Sequence, residues 1–364
     1  MTARWETRND LRTSELEGTD LDTGGRVTVH DLARAAGVSL ATVDRVLNGR
    51  PGVRRATIEK VETAIAEIGF RRDLTASMLA RARDIVLKII VPEGTNQFFG
   101  KLADAVESVG AQMRAERLRL DLVRIRAMDT RALVAALDGI GAEDADCAVI
   151  VAIDKPEIHA AVARIAGRGI KVISLVSDLP DSARHGFVGI DNRAAGRVAA
   201  SLMGRFVPAG ASVGLVAGSL ELIDHAERVG GFREIMALEF PSLKLAGPIE
   251  AQDEFTATYE KCLKLFAANP DLAGIYNAGA GNAGLLMALN EFKLAGSMRV
   301  IGHELTGPTR AGLESGAIDV ILDQSPEDEI RAVCATARRL VVGADAAPPE
   351  TQLEIKVLMR DNLS

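Results

Sequence analysis

The chain has 364 residues, 48 % of them hydrophobic, and is long enough to bury more than one core. Its net charge of −7 is uneven, because residues 26–83 carry 11 Lys and Arg against 6 Asp and Glu, which leaves −12 for the remainder. The absence of a long apolar run and of a signal-peptide core excludes membrane and secreted proteins, and predicts a cytoplasmic one with a disordered leader over 1–25. Three cysteines far apart in apolar contexts, Cys147, Cys262 and Cys334, indicate buried reduced thiols.

The first predicted elements are two short helices within residues 28–50. Apolar residues recur at helical spacing from Val29 to Ala36 and from Val43 to Leu47, and Gly37 separates the two segments. Ser39 stands where an N-cap would bind the free backbone N–H groups of the second helix. The pattern predicts a helix-turn-helix, whose second helix would enter the DNA major groove, and an amphipathic hairpin that only packs is the alternative.

The N-terminal residues of the second helix are the candidates for contact with base edges. Arg45 can donate two hydrogen bonds to guanine or bind a phosphate, and Thr42 can reach a phosphate or a base. Leu40 offers apolar surface to a thymine methyl group. A carboxylate at Asp44 is repelled by phosphates unless it accepts from a cytosine amino group or pairs with Arg45.

A basic loop, a third helix through Ile68 and a short segment from Leu74 to Arg81 follow. The order TVHDLARAAGVS, TVDRVLNGRPGVR, TIEKV, AEIGF and SMLAR resembles the headpiece of the lactose-repressor (LacI) family of bacterial transcription regulators, nearly without gaps. The resemblance implies a hinge helix that folds on the operator and inserts Leu79 into the minor groove, which kinks the duplex. Asp44 departs from the Ser or Thr usual in that family. The predicted DNA-contacting residues are Thr28, Ser39, Leu40, Ala41, Thr42, Asp44, Arg45, Asn48, Arg54 and Leu79.

From Ile85 onward, short apolar runs alternate with amphipathic helices. The predicted strands are 85–91, 120–125, 147–153, 171–176 and 187–190, and then 212–217, 272–278, 299–303 and 319–323. Continuous β-branched runs are typical of parallel strands that are covered on both faces. The sequence therefore predicts an all-α headpiece followed by an α/β body of two sequential, doubly wound parallel-sheet lobes, joined near Asp191.

Ligands of such sheets bind outside the carboxyl ends of the strands, where polar and aromatic residues accumulate in this sequence. These residues are Phe98, Phe99, Asp154, Ser177, Asp178, Asp191, Asn192, Ser219, Asn277, His303, Glu304 and Gln324, with Arg228 in a predicted helix from His225 to Leu238. Planar carboxylate, amide and guanidinium groups each bind two neighbouring hydroxyls, and aromatic rings cover C–H faces, so the set favours a sugar or polyol. Each residue alone could instead be a loop cap or a turn former.

The body resembles the periplasmic sugar-binding-protein fold (type I) that forms the sensor of the same family, through NQFF, GIDNRAAG, HAERVGGF, VIGHELT and DQSPEDE. By position, Arg228, Glu304 and Gln324 match residues that bind sugar hydroxyls. Glu304 is one methylene longer than the aspartate usual there, which implies a differently shaped ligand. The predicted ligand-binding residues are Phe98, Phe99, Asp178, Asn192, Arg228, Asn277, Glu304 and Gln324.

The stretch from Gly279 to Gly284 is a competing motif, because it matches GxGxxG, follows a predicted strand and opens a helix, with Glu304 20 residues after it. A dinucleotide fingerprint normally begins the first βαβ unit of its domain, whereas this motif lies in the second lobe. An NAD(H)-binding redox-sensing regulator is therefore the second candidate. The five histidines lack metal-binding spacing and no nucleophile elbow is present, so no enzyme, cofactor or metal site is expected.

The predicted organisation is a leader over 1–25, a headpiece over 26–73, a hinge over 74–84 and a ligand-sensing and dimerisation domain over 85–360. The predicted function is that of a transcriptional repressor, a homodimer or tetramer, on a double-stranded operator. A small sugar or polyol between the lobes would control its affinity for DNA. No membrane partner is expected.

Overall fold

The computed structural model describes residues 27–47, 52–70, 83–94, 96–342 and 350–363. These residues fall into two compact units that divide between residues 72 and 73. No helix within them is long and apolar enough to cross a membrane. The described part of the first unit is helical, and the second unit contains two α/β lobes.

The first unit contains the predicted helix-turn-helix and a third helix. Its helices are α1 (Val29–Ala36), α2 (Leu40–Leu47) and α3 (Arg55–Ile68). Gly37 ends α1 with φ +63, a left-handed conformation that glycine adopts without steric cost, and this reverses the chain before α2. Ser39 Oγ accepts a hydrogen bond from the Thr42 N–H at 3.2 Å, as expected of an N-cap. One side chain of each helix is fully buried in the small core between them: Leu32, Val43 and Val61.

The second unit alternates strands and helices along the chain. Its strands are β1 (Ile85–Glu93), β2 (Leu118–Arg126), β3 (Cys147–Ile150), β4 (Lys171–Leu175), β5 (Gly186–Ile190), β6 (Ser212–Ala217), β7 (Lys244–Glu250), β8 (Leu272–Asn277), β9 (Arg299–His303), β10 (Val320–Asp323), β11 (Glu350–Leu353) and β12 (Lys356–Leu358). Its helices are α4 (Gln97–Met113), α5 (Thr130–Asp138), α6 (Pro156–Gly167), α7 (Asn192–Phe206), α8 (Ile223–Glu239), α9 (Phe255–Ala268), α10 (Asn282–Glu291), α11 (Gly307–Ser315) and α12 (Pro326–Val342).

Each lobe is a six-stranded sheet with helices on both faces. The first sheet has the order β11-β5-β4-β3-β1-β2 with all neighbours parallel. The second has the order β12-β10-β9-β8-β6-β7, in which only the pair of β10 and β12 is antiparallel. In the first lobe α4 and α12 cover one face while α5 and α6 cover the other. The predicted fold class, a helical headpiece with two doubly wound lobes, is confirmed.

The two lobes are not sequential, and the prediction of a single junction near Asp191 is wrong in this respect. Within the described residues the chain passes from the first sheet to the second after β5, returns after β10 through α12, and passes again between β11 and β12. Ile330 and Val333 of α12 are fully buried in the core of the first lobe. Three connecting segments therefore link the lobes.

Three strands were not predicted. β7 is an edge strand with no buried residue and contains Gly247 and Pro248, which break an apolar run and suit only a sheet edge. β11 and β12 are also edge strands, of 4 and 3 residues. An edge strand of this length needs few apolar residues and leaves a weak sequence pattern.

Candidate functional site

The exposed face of α2 carries most of the side chains that the sequence proposed for DNA. Leu40 is 41 % exposed, and Ala41, Asp44 and Arg45 are exposed beside it, whereas Val43 is buried against the other helices. Ser39 Oγ lies 2.9 Å from Thr42 Oγ1, which fixes both hydroxyls at the first turn of the helix. The exposed side of α2 can therefore present a leucine and a hydroxyl from its first turn and an arginine from its last turn to a groove.

Thr28 and Arg54 occupy helix starts. Thr28 Oγ1 donates to Asp31 Oδ2 at 2.6 Å and accepts from the Asp31 N–H at 3.3 Å, so Thr28 forms the capping box of α1. The Thr28 hydroxyl and the Thr28 N–H both donate to the Asp31 carboxylate, and these two hydrogen bonds lower the pKa of Asp31. Arg54 is exposed immediately before α3. Asn48, Leu79 and almost all of the hinge over 74–84 lie outside the described residues.

The ligand candidates meet in a cleft between the two lobes of the second unit. The cleft contains about 380 Å³ of space, counting the part that opens to solvent. The first lobe contributes the polar and aromatic side chains Asn96, Phe98, Phe99 and Ser177. The second lobe contributes the polar and charged side chains Asp224, His225, Arg228, Asp253, Glu304 and Gln324.

Arg228 lies at the base of this cleft and is only 2 % exposed. Its Nε donates to Asn192 Oδ1 at 2.8 Å and its Nη1 donates to the Ala278 carbonyl oxygen at 3.1 Å. Its Nη2 lies 3.8 Å from Glu304 Oε1. Two of its nitrogens are thus committed to the protein, and the third remains directed at the cleft.

Glu304 follows β9 and is held in place by Gln324, which follows β10. Gln324 Nε2 donates to Glu304 Oε1 at 2.6 Å, and the backbone of Glu304 has a left-handed φ of +67. Burial raises the pKa of Glu304 to about 8, although Arg228 acts in the opposite direction. The preceding residue, His303, points away from the cleft, and its Nε2 lies 2.8 Å from the Tyr276 hydroxyl.

Several buried polar atoms of the cleft have no hydrogen-bond partner within the described part of the chain. They are Ser177 Oγ, Asp224 Oδ1, Arg228 Nη2, Glu304 Oε2 and Gln324 Oε1. Leaving one buried polar atom unpaired costs about 1–3 kcal/mol, so five in one cleft indicate a place where a ligand supplies the partners. Most of these atoms are oxygens, which require donors such as hydroxyl or amine hydrogens.

The lobes are closed on each other in this structure. Asn96 Nδ2 donates to Asp253 Oδ2 across the cleft at 3.4 Å, and Lys155 Nζ lies 3.0 Å from Glu221 Oε2. Lys101 Nζ donates to the carbonyl oxygen of Leu305 in the opposite lobe. Side chains of both lobes can therefore contact one small molecule at the same time.

Asp253, Asp224 and His225 were not among the residues predicted from the sequence. Asp253 Oδ1 accepts from the Ala280 N–H at 2.8 Å, and a Cβ at Gly218 or Gly279 would come within 2.4 Å of that oxygen. His225 Nδ1 accepts from the Ser219 N–H at 3.2 Å. Asp253 lies just after the carboxyl end of β7, a position typical of ligand-binding residues. It was missed because the sequence pattern did not reveal that strand.

Three predicted ligand-binding residues, Asp178, Asn192 and Asn277, do not line the cleft. Asp178 accepts from Ser174 Oγ at 2.6 Å and from Arg184 Nη2 at 2.7 Å, so it fixes its own loop. Asn277 donates to Asn282 Oδ1 at 2.9 Å and accepts from the Gly279 N–H at 3.1 Å. Asp178 follows β4 and Asn277 ends β8, but their side chains bond to neighbouring residues of the same lobe. Phe98, Phe99, Arg228, Glu304 and Gln324 line the cleft, and Asn192 supports Arg228.

The glycines of the GxGxxG motif have a packing role. A Cβ at Gly281 would lie 2.1 Å from Thr258 Oγ1, and one at Gly284 would lie 2.3 Å from the Phe255 carbonyl oxygen. The small residues thus let α10 approach α9 closely. Glu304, which would bind a ribose in a dinucleotide site, is instead hydrogen-bonded to Gln324. The geometry therefore does not favour the NAD(H) alternative.

Two protein families match separate parts of the chain. The family described as "Periplasmic binding protein domain" matches residues 86–345. The family described as "Bacterial regulatory proteins, lacI family" matches residues 28–73. The two matches follow each other along the sequence without overlap.

The curated relatives align with the N-terminal part of the chain. Catabolite control protein A of Priestia megaterium is 38 % identical over 88 residues, which is 24 % of this chain and 26 % of the relative. The maltose regulon regulatory protein MalI of Escherichia coli (strain K12) is 41 % identical over 93 residues, 25 % of this chain and 27 % of the relative. The aligned region thus spans about a quarter of the length of these relatives.

Solved structures resemble the second unit. GanP, a glucose-galactose binding protein from Geobacillus stearothermophilus, superposes with a TM-score of 0.70 at 20 % identity and covers 77 % of this chain and 99 % of its own. A solute binding protein from Burkholderia graminis C4D1M, in complex with D-arabinose, has a TM-score of 0.71 at 21 % identity and covers 78 % and 97 %. At this identity the likeness shows the fold alone.

Proposed function

The chain belongs to the periplasmic binding protein domain family and carries a domain of the lacI family of bacterial regulatory proteins ahead of it, and on this premise we propose that it is a transcriptional repressor. In this proposal a small sugar or polyol binds between the lobes and changes the affinity for a DNA operator. The protein acts in the cytoplasm as a homodimer or a tetramer, and it catalyses no reaction. The proposed parts are a leader (1–25), a headpiece (26–73), a hinge (74–84) and a sensor (85–360).

The DNA-binding part of the proposal is supported by the surface of α2. Leu40, Ala41 and Arg45 are exposed on one helix whose opposite side is anchored by the buried Val43. Positive charge is concentrated in the same segment of an otherwise acidic chain, as expected when one part of a protein meets phosphate. A single headpiece contacts little DNA, so two of them on a two-fold symmetric site supply the required specificity.

The observation that carries the sensing part is the group of unpaired buried atoms on Arg228, Glu304 and Gln324, with Ser177 from the other lobe. Neighbouring hydroxyls of a sugar or polyol match this arrangement, because each hydroxyl donates once and accepts twice. Phe98 and Phe99 line the same cleft and offer apolar surface to C–H groups. A ligand that touches both lobes binds the closed form better than the open one, which is the condition for shifting a population.

Two experiments test this proposal. Selection of bound duplexes from a random pool should yield a pseudo-palindromic site, and a sequence without two-fold symmetry would contradict the paired headpieces. A thermal-shift screen of free sugars and polyols should give at least one hit, since a ligand at 100 times its Kd stabilises by about 2.7 kcal/mol. NADH belongs in the same screen, because a response to NADH and to no sugar would favour the dinucleotide alternative.

A further inference from the structure

A second space, here called the side chamber, opens next to the ligand cleft. It contains about 1050 Å³ including its opening to solvent, compared with about 380 Å³ for the cleft. Five residues form walls of both spaces: Asn96, Phe99, Val151, Leu222 and Asp253. Because these walls are shared, the side chamber lies directly beside the cleft, and a molecule held in the cleft contacts side chains that also line the chamber.

The interior of the side chamber is mainly apolar. Its walls come from the carboxyl ends of β1, β2 and β3, from the first turns of α5 and from the loop before α8. The apolar side chains on them include Phe99, Ile125, Leu133, Val151, Ile153 and Leu222. Such a surface favours contact with a hydrocarbon or an aromatic ring, at roughly 25 cal/mol for each Å² removed from water.

Three polar side chains that line the side chamber already have partners. Asn96 Oδ1 accepts from the Phe98 N–H at 3.0 Å, and Asp129 Oδ1 accepts from the Ala132 N–H at 2.9 Å. Ser219 Oγ accepts from the Glu221 N–H at 3.2 Å. The cleft, in contrast, contains unpaired buried oxygens and a guanidinium nitrogen. A second sugar ring would therefore find fewer open hydrogen-bonding groups in the chamber than the first ring finds in the cleft.

The rim of the side chamber is predominantly acidic. Glu93, Asp129 and Glu254 contribute carboxylates, and Arg126 contributes a guanidinium. Asp253 adds a fourth carboxylate on the wall shared with the cleft. An excess of carboxylates repels an anion such as a phosphate or a carboxylate on the ligand.

We propose that the side chamber is a second subsite of the cleft, which takes an uncharged apolar group attached to the sugar or polyol bound by Arg228, Glu304 and Gln324. The inference rests on the proposed sensing function and specifies its ligand. The ligand is a glycoside with an aryl or alkyl aglycone, and neither a free sugar nor a sugar phosphate. The hydrogen bonds of the sugar ring in the cleft fix the orientation of the ligand, and the aglycone adds contact area in the side chamber.

Calorimetry on the full-length protein tests the proposal with matched pairs of ligands. The probes are the methyl and phenyl β-D-glycosides of the pentoses and hexoses in the screen, together with the corresponding sugar phosphates. Burial of a phenyl ring is expected to tighten binding about tenfold or more relative to the methyl glycoside. The phosphates are expected to bind more weakly than the methyl glycosides, because of the acidic rim.

A filled-chamber variant supplies the structural control. Ala127→Trp places a large side chain on a residue that lines the chamber and not the cleft. It should remove the advantage of the phenyl glycoside. Ala163→Trp, at an exposed position of α6 in the same lobe, should keep that advantage. A phenyl glycoside that binds no better than the methyl glycoside, or an advantage that survives Ala127→Trp, would overturn the proposal.

A neutral fluorophore separates this inference from the proposed function. N-phenyl-1-naphthylamine should fluoresce more strongly with the native protein and with Ala163→Trp than with Ala127→Trp. If no sugar or glycoside binds and the fluorophore still responds in this way, the sugar-sensing function fails while the apolar subsite stands. If methyl glycosides bind but neither the phenyl group nor the fluorophore is accommodated, the subsite fails alone.

Discussion

Arg228 and Gln324 approach the carboxyl group of Glu304 from different elements, and this arrangement determines what each can give to a ligand. The guanidinium has one nitrogen left after its bonds to Asn192 and Ala278, and the amide keeps its oxygen after donating to Glu304. The cleft thus offers a donor and acceptors close together on a rigid support. Vicinal hydroxyl groups suit such a pattern, because one can accept while its neighbour donates.

The first prediction concerns these two side chains. Arg228→Ala and Gln324→Ala should each weaken binding of the sugar found in the screen by about 1.5–3 kcal/mol, as expected for buried or charge-assisted hydrogen bonds. Asp178→Asn is the matched control, because the Asp178 carboxylate follows a strand in the same way but is bonded to Ser174 and Arg184 outside the cleft. Isothermal titration measures all three. Equal losses in the control and in the two variants would refute the cleft assignment.

The second prediction concerns pH. Burial raises the pKa of Glu304 to about 8, and burial together with Glu304 raises that of the fully buried Glu329 well above its ordinary value. The folded protein then holds protons that the unfolded chain releases, so the contribution of these two groups to stability is complete below pH 4.5 and is lost as the pH rises, towards 8 in the case of Glu304. The expected slope is about 1.4 kcal/mol per pH unit for each such group.

Denaturation at a series of pH values measures this slope. Glu304→Gln and Glu329→Gln remove the titrating groups and should each flatten the decline between pH 4.5 and 8. Glu157→Gln, on the exposed side of α6, should leave the decline unchanged. The same slope in all four proteins would mean that neither buried carboxyl group responds to pH in this range.

Among the secondary-structure elements, α2 and the start of α3 would make two kinds of contact with DNA in the proposed function. Arg45 is exposed on the helix expected in the groove, whereas Arg54 is exposed just before the next helix. Arg45→Ala should cost about 1–3 kcal/mol of operator affinity and relax the preference at one base pair in each half-site. Arg54→Ala should weaken operator and random duplexes alike, because a phosphate contact carries no sequence information.

Fluorescence anisotropy with an operator duplex and a scrambled duplex, at one fixed salt concentration, measures both effects. Both proteins must first show native thermal stability. Undiminished operator binding by Arg45→Ala would contradict the assignment of α2 as the recognition helix. A loss of discrimination in Arg54→Ala would mean that this arginine reads a base.

The fourth prediction concerns the contact of α9 with α10. A Cβ at Gly284 would lie 2.3 Å from the Phe255 carbonyl oxygen, so Gly284→Ala should destabilise the protein by about 1–3 kcal/mol through overpacking. Gly230, in α8, has nothing within 4 Å of the corresponding position. Gly230→Ala should therefore stabilise by up to about 1 kcal/mol. Chemical denaturation measures the stability of both variants. If Gly284→Ala is as stable as the native protein, the packing role is wrong and the GxGxxG motif is again a candidate for ligand binding.

The sequence predicted the elements whose pattern depends on burial alone. The helices of the headpiece and the central strands of both sheets have buried faces with regular spacing, and all of them were found. The sheet against which α12 packs could not be predicted. The spacing of apolar residues in an amphipathic helix shows that one face is buried, but it does not identify the element that covers this face. Asp253 was missed because the edge strand before it has no buried residue and is interrupted by Gly247 and Pro248.

At the scale of the whole molecule, the proposed function links the closing of the lobes and the binding of the headpiece to DNA through one equilibrium. A ligand shifts operator affinity only by its preference for one arrangement of the lobes, and this preference is reciprocal. In an operator-binding assay, Gln324→Ala should move the midpoint of the ligand titration to higher concentration by the same factor as its loss in calorimetry. The operator affinity without ligand should remain native. A changed affinity without ligand would mean that Gln324 also sets the resting arrangement of the lobes.

The return of the chain to the first lobe through α12 also affects how the protein is made. When the ribosome has synthesised residues 1–323, β1 to β5 are complete, but the face that Ile330 and Val333 cover is bare and β5 is still an open edge. Bare apolar surface and unpaired edges are the features that lead nascent chains to aggregate or to bind chaperones. The first lobe to be translated is therefore completed only after β10 of the second lobe has been made, and a chain that stops before α12 should be recovered as aggregate or bound to chaperone, even though most of both sheets is present.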